Sequence, residues 1–496
     1  MLKMKSYTFW FVTGSQHLYG PETLEQVEQH SREITQGLDR DDAIPFKLSF
    51  KPVLTTSDAI RRLVLDANAD DECAGIITWM HTFSPAKMWI EGLSRLQKPL
   101  LHLATQYNRD IPWDTIDMDF MNLNQAAHGD REYGFIGARM GISRKVVAGY
   151  WEDAAVRRRM GEWMRTAAAF AESRNLKVAR FGDNMRQVAV TEGDKVEAQI
   201  KFGWSVSGYG VGDLVERVNS VTGQELNRLM EEYSERYEIT AQGRQDGTVR
   251  ESIGYQARLE LGLKSFLEEG GFGGFTTTFE DLHGLKQLPG LAVQRLMEQG
   301  YGFGGEGDWK TAALVRLMKI IAGNVGTSFM EDYTYHLDPQ NELVLGAHML
   351  EICPTIAADK PRLEVHPLGI GGKDDPARMV FNGRSGAAVN ATIVDMGTRF
   401  RLLVNEVDAI QLEHAMPNLP VARVLWKVQP NLKDGVESWI LAGGAHHTGF
   451  SYVVTAEHLT DFAEMTGMEC MIINKDTKPL AFRNELRLND MAWRLG

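Results

Sequence analysis

The sequence predicts an α/β protein, with two parallel-sheet domains followed by a β-rich, antiparallel, barrel-like domain. Three observations carry this expectation. The first two thirds alternate short apolar runs with amphipathic segments, the rhythm of parallel strands covered by helices. From about residue 326 that rhythm yields to short alternating runs separated by turn residues, as in antiparallel sheets and barrels. The chain has 496 residues, 43% hydrophobic and 24% charged, which exceeds one ordinary domain and excludes a disordered or fibrous chain. The expected domains are 1–175, 176–326 and 327–496.

In chain order, residues 7–12 read as a buried strand ended by Thr13-Gly14-Ser15. Pro21 opens a helix over 22–38, with Leu24, Val27, Ile34 and Leu38 near one face. Strands follow at 46–54, 74–79 and 99–103, and helices at 57–66 (Ser57 as N-cap) and 85–96. Residues 111–141 have weak periodicity and read as a long ordered loop, and 143–174 as one long helix. The second domain opens with a strand at 177–181. It continues with helices at 226–237, 255–269 and 291–299, strands at 275–279 and 300–305, and a helix from Trp309. In the third, 343–345, 387–394 and 400–404 have strand character.

A net charge of −13 repels phosphate backbones, so nucleic acid is not an expected partner. Cys73, Cys353 and Cys470 form no paired framework and read as buried thiols of a reducing compartment. The first ten residues lack an apolar core before a cleavage site, and no apolar run approaches a membrane span. A cytoplasmic protein without membrane partners is expected.

No Walker-type loop, H-E-x-x-H or G-x-S-x-G elbow is present. Gly302-Phe-Gly304-Gly-Glu-Gly307 matches G-x-G-x-x-G, but no acidic residue closes a neighbouring strand in the way dinucleotide binding requires. Glu306, among those glycines at a strand's carboxyl end, points into the usual ligand crevice; an acid facing a helix dipole is the alternative. Glu331 and Asp332 face opposite sides of a strand, so only one of them enters a given cavity, and periodicity does not choose. His348 sits in an apolar run, where a satisfied core histidine is the alternative. His446 and His447 follow a Gly-rich turn, one facing in and one out. Two Glu and two His at separate strand ends would make a mixed oxygen–nitrogen site for a divalent ion. Carboxylates favour Mn²⁺ or Mg²⁺, and imidazole keeps Mn²⁺, Co²⁺ and Ni²⁺ in play.

Six motifs occur in order over essentially the whole chain: Gly14-Ser-Gln-His-Leu-Tyr-Gly20, Trp79-Met-His-Thr-Phe-Ser-Pro-Ala-Lys87, Met118-Asp-Phe-Met-Asn-Leu-Asn-Gln125, Thr276-Thr-Thr-Phe-Glu-Asp-Leu-His283, Gly305-Glu-Gly-Asp-Trp-Lys310 and Gly443-Gly-Ala-His-His-Thr448. In these motifs the chain resembles the L-arabinose isomerase family. The resemblance implies a fucose-isomerase-like architecture, in which two Rossmann- or flavodoxin-like domains precede the barrel. It also implies one Mn²⁺ per subunit, replaceable by Co²⁺ or a similar ion, held by Glu306, Glu331, His348 and His447. Glu331 is thereby chosen over Asp332. The implied sugar pocket is lined by Gln16, Leu18, Tyr19, Gln125, Met185 and Phe279. His128 would reach into a neighbouring subunit's site, within a homo-oligomer that is typically a hexamer built from trimers. The implied reaction interconverts L-arabinose and L-ribulose, with D-galactose to D-tagatose as a side activity. Its path is proton transfer through an enediol or a metal-assisted hydride shift, with Glu306 and Glu331 as the acid/base pair for the former. His128 and His446 are both candidates for opening the sugar ring.

Overall fold

A computed structural model describes residues 2–239, 244, 247–413 and 416–495. The chain divides into two compact units, Met4–Ala171 and Glu172–Gly496, the latter with Met1–Lys3.

The first unit is built on five parallel strands: β1 (Thr8–Gly14), β2 (Lys47–Phe50), β3 (Cys73–Met80), β4 (Leu100–Ala104) and β5 (Lys145–Ala148), in the order β2-β1-β3-β4-β5. Every residue of β3 is buried, which is why it reads in sequence as a continuous apolar run. Helices α1 (Gly20–Asp39), α2 (Ser57–Ala69) and α3 (Ala126–Arg139) accompany the strands. Four local expectations need correction. Thr56, not Ser57, caps α2, its hydroxyl accepting from the Ala59 N–H at 3.2 Å. Residues 85–96 form only a 3₁₀ turn (Ala86–Trp89) and one helical turn (Ile90–Leu93). The presumed loop 111–141 contains α3 and the short helix Met118–Leu123. The presumed helix 143–174 begins with β5, and Gly149, at φ 138°, breaks the chain before α4 (Ala154–Ser173).

The second unit opens with a four-stranded parallel sheet. Its strands are β6 (Lys177–Phe181), β7 (Ser205–Tyr209), β9 (Gly274–Thr277) and β10 (Gly302–Gly304), ordered β10-β9-β6-β7. Between them, β8 (Glu238–Ile239) joins β13 (Arg362–Val365) and β14 (Ala377–Val380) in a small separate sheet. Helices α5 (Gly223–Arg236), α6 (Gly247–Gly270) and α7 (Gly290–Glu298) pack around this region, and α8 (Trp309–Ile321) is buried along its whole length.

The remainder forms a closed barrel of six antiparallel strands. These are β11 (Thr327–His336), β12 (Leu343–Ala347), β15 (Gly386–Asp395), β16 (Phe400–Ile410), β17 (Arg423–Val428) and β18 (His447–Ser451). The ring runs β15-β18-β11-β12-β17-β16, and β16 pairs back onto β15 along its full length. A seventh strand, β19 (Glu469–Ile473), adds to β16 in parallel. Helices α9 (Leu432–Leu441), α10 (Ala456–Thr466) and α11 (Pro479–Leu495) flank these strands. Met330, Val344, Trp426 and Phe450 belong to the barrel's apolar core. Gly346 makes room for Trp426: a methyl group there would stand 1.9 Å from the indole. The alternate residues of β11 and β18 point outward, toward α8. Among the described residues no helix is long and apolar enough to cross a membrane.

Candidate active site

The candidate site lies on the outer face of the barrel, beside the turn from β10 to α8. In that turn Glu306 adopts φ 58°, unusual for a residue with a side chain. Asp308 then caps α8, one oxygen accepting from the Thr311 N–H at 3.2 Å and the other from the Thr311 hydroxyl at 2.8 Å. Glu331 pairs across the sheet with His447 on one side and Ala347 on the other, which brings strands β18, β11 and β12 together at one height. His348 follows directly after β12.

These residues gather in two groups: ligand atoms of Glu306, His446 and His447 lie within 4.8 Å of one another, and Glu331 pairs with His348. Glu306 Oε2 lies 4.0 Å from His447 Nε2 and 3.7 Å from His446 Nε2. Glu331 Oε2 lies 3.8 Å from His348 Nε2. The His348 and His447 rings are 5.8 Å apart, and the Phe329 ring meets each of them edge-on. Gly305 admits this approach, since a methyl group there would sit 3.2 Å from His348 Nε2. Asp332, the neighbour periodicity could not separate from Glu331, turns the opposite way. It joins Asn390, Asn405 and Thr448 around a small cavity at one end of the barrel interior.

Burial and charge set the protonation of the cluster. His447 is fully buried, and burial pulls its pKa down, which keeps the ring neutral. Among the described residues Nε2 has no hydrogen-bond partner, and Nδ1 faces Asp308 Oδ2 at 3.5 Å. The His446 imidazole and then His447 and His348 hold the Glu306 carboxyl below its usual range, against the burial that raises it. Burial works to raise Asp308 as well, but Lys310 and His447 outweigh it and keep the carboxylate charged. Lys310 is itself fully buried, donating to the Thr191 and Glu192 carbonyls at 2.8 and 2.7 Å and to Asp308 at 3.2 Å. Burial alone would lower His348, but the Glu351 carboxylate, 2.5 Å from Nδ1, pushes it up to about 9. Burial lifts the Asp332 carboxyl to about 7.

The donor set suits a divalent ion. Two carboxylates and two imidazoles on separate strand ends are hard and borderline ligands of the kind Mn²⁺ accepts. A buried imidazole with a bare Nε2 is a costly arrangement that a metal bond would relieve. Glu351 stands behind His348, and Asp308 behind His447, as carboxylates do behind metal-binding histidines. Sequence reasoning missed both. The only signal was proximity, with Glu351 three residues after His348 and Asp308 two after Glu306, and nothing in the spacing shows which ring nitrogen such a neighbour faces.

Two of the residues the resemblance assigns to the sugar pocket lie in the same unit as this cluster. The Met185 N–H donates to the Glu306 carbonyl at 3.0 Å, and half-buried Phe279 packs against the core beneath the parallel sheet. The others belong to the first unit, at the carboxyl ends of its strands. The Tyr19 hydroxyl donates to Gln125 Oε1 at 3.2 Å, and the Gln125 N–H to the His81 carbonyl at 3.0 Å. Gln16 sits in the loop after β1, Leu18 is 84% exposed, and His128 stacks on Phe83.

Buried, charge-coupled carboxylates and imidazoles gathered at the strand ends of an α/β fold are the layout of an enzyme active site. Comparison with known proteins makes the class specific. Family models described as the L-arabinose isomerase N-terminal, central and C-terminal domains match residues 3–175, 177–324 and 326–469. The chain is 70% identical to the L-arabinose isomerases of Geobacillus thermodenitrificans and Geobacillus stearothermophilus, over 100% of each chain. It is 63% identical to that of Bacillus subtilis, again over 100% of both chains. The chain belongs to the L-arabinose isomerase family. It is an isomerase.

Proposed function

We propose that the chain interconverts L-arabinose and L-ribulose, and that this isomerisation depends on one divalent metal ion, Mn²⁺ or a substitute such as Co²⁺, bound by Glu306, Glu331, His348 and His447. The observation that carries this reading is His447: fully buried, with Nε2 unpartnered among the described residues and 4.0 Å from Glu306. When bound, the ion would polarise the sugar carbonyl and stabilise negative charge developing on its oxygen. The chain's own groups do the rest. Glu331, on the outer face of the barrel, and Glu306, in the turn beside it, pass a proton between C2 and C1 through an enediol. Glu351 orients His348, and Asp308 supports His447. Gln16, Tyr19 and Gln125 hydrogen-bond sugar hydroxyls, Met185, Phe279 and Leu18 shape the apolar wall, and D-galactose turns over to D-tagatose as a side reaction.

The reading extends to assembly, as a cytoplasmic homo-oligomer, a hexamer of two trimers, in which His128 reaches a neighbouring subunit's site. The stretch leading into α3 supports this. There Trp113, Met118 and Met121 are 78%, 65% and 52% exposed, a concentration of apolar surface that monomers rarely carry.

A proton NMR time course of L-arabinose tests the proposal, with one sample stripped by EDTA and another restored with Mn²⁺. L-Ribulose should appear only with metal; turnover in the stripped sample would refute the metal requirement. Run in D₂O, deuterium at C1 of the ketose would establish enediol transfer, whereas full retention of the substrate hydrogen there would count against it.

A further inference from the structure

The twin histidines enter the site from a turn, residues 442–446, that joins α9 to β18. Two side chains hold that turn from outside. Arg401 Nη1 donates to the Ala442 carbonyl at 2.7 Å, at the C-terminus of α9, where a cation also meets the negative end of the helix dipole. Trp439 Nε1 donates to the Ala445 carbonyl at 3.0 Å, immediately before His446. The turn itself is tightly shaped: Gly443 takes φ 78°, and a methyl group on Gly444 would stand 2.3 Å from Trp439 Nε1.

Arg401 is clamped in turn. It sits on β16 opposite Glu469 of β19, is nearly fully buried, and bonds Glu469 through Nε at 2.8 Å and Nη2 at 3.2 Å. Its Nη2 also lies 3.4 Å from Asp490 on α11. Arg399 shares both acids, meeting Glu469 at 2.5 Å and pairing with Asp490, but among the described residues it has no bond to the turn. Two buried arginines thus do the same ionic work, and one of them alone touches the backbone that carries His447.

We infer that Arg401 is a positioning residue for the active site, setting through Ala442, with Trp439 through Ala445, where the twin histidines stand. The inference rests on the reading of His447 as a metal ligand. It assigns no contact between Arg401 and substrate or metal. It makes the C-terminal helix, through Asp490, an anchor for one wall of the centre.

The test is Mn²⁺ binding to the stripped full-length protein, read from the free Mn²⁺ electron paramagnetic resonance signal, with melting temperature measured alongside. Arg401→Lys keeps a cation beside Glu469 but is too short and lacks the fork that reaches Ala442. Trp439→Phe keeps the aromatic body and removes only the N–H. Arg399→Met disturbs the ion cluster without touching the turn. Arg401→Lys and Trp439→Phe should each weaken Mn²⁺ binding about tenfold, the scale for groups that orient a ligand from behind. Arg399→Met should lower the melting temperature yet bind Mn²⁺ as the wild type does. Wild-type affinity in Arg401→Lys and Trp439→Phe would overturn the inference, and so would equal weakening in Arg399→Met. If either turn variant fails to fold, the other decides. A wild-type protein that binds no Mn²⁺ would instead remove the metal-site reading, and this inference with it.

Discussion

Glu306 combines a charged side chain with a backbone at φ 58°, a region that costs an L-residue roughly 1–2 kcal/mol and persists where the surroundings impose it. Alanine keeps the same backbone and removes the carboxylate. Glu306→Ala should therefore abolish turnover while far-ultraviolet circular dichroism and oligomer size stay unchanged; retained turnover would remove Glu306 from the mechanism. Glu351 acts one step further back, holding the His348 ring through Nδ1. Glu351→Gln keeps the shape and loses the charge, and should weaken Mn²⁺ binding about 10–100-fold, measured by titration of the stripped protein. At this scale the sequence was informative where chemistry is intrinsic to the residue type. A Glu among glycines and paired histidines announce themselves. Asp308, Glu351 and Lys310 do not, because a carboxylate or ammonium becomes part of a site only through the partner it faces in three dimensions.

Elements were legible in proportion to how completely they are buried. β3 and β10 are wholly buried and stand out as apolar runs. β5 and β7 escaped notice: β5 has only one buried residue of four, and β7 has none. The periodicity of α4 then absorbed β5 into an overlong helix. The choice between Glu331 and Asp332 shows the same boundary. Alternation dictates that they face opposite ways but not which; the resemblance chose Glu331, and the sheet pairs it with His447. The α2 cap can be tested directly. Thr56→Ala should cost about 1 kcal/mol of stability in denaturant titration, whereas Ser57→Ala should stay within about 0.5 kcal/mol. The reverse ranking would return the cap to Ser57.

The whole molecule depends on buried ion clusters as well as apolar cores. Burial tends to raise the Glu469 carboxyl, but Arg399 and Arg401 outweigh it and hold it below its ordinary 4.5. A carboxyl with a depressed pKa in the folded state contributes stability that is present above its unfolded pKa and lost as pH falls through the folded value. Glu469→Gln leaves two buried guanidinium groups short of charge and should cost roughly 3–5 kcal/mol at pH 7. That difference from the wild type should shrink below pH 4.5 as the wild-type carboxyl takes up a proton; melting curves from pH 7 to pH 3 measure it. The succession of parallel sheets and the change to a barrel were visible in the patterning, whereas the closure of β16 onto β15 was not, since no local signal records which two strands meet last.

That closure has a kinetic consequence. β11 and β18 each have a hydrogen-bonded neighbour on both sides, and the ring they belong to offers no loose end from which a ladder could unzip. Their amide protons should be released to deuterium only by opening the ring as a whole. In a labelling experiment residues 328–331 and 447–450 should exchange last, long after β2 at the margin of its own sheet. Glu331 and His447 would then keep their spacing in any partly opened form that retains the ring, and would part only when it breaks.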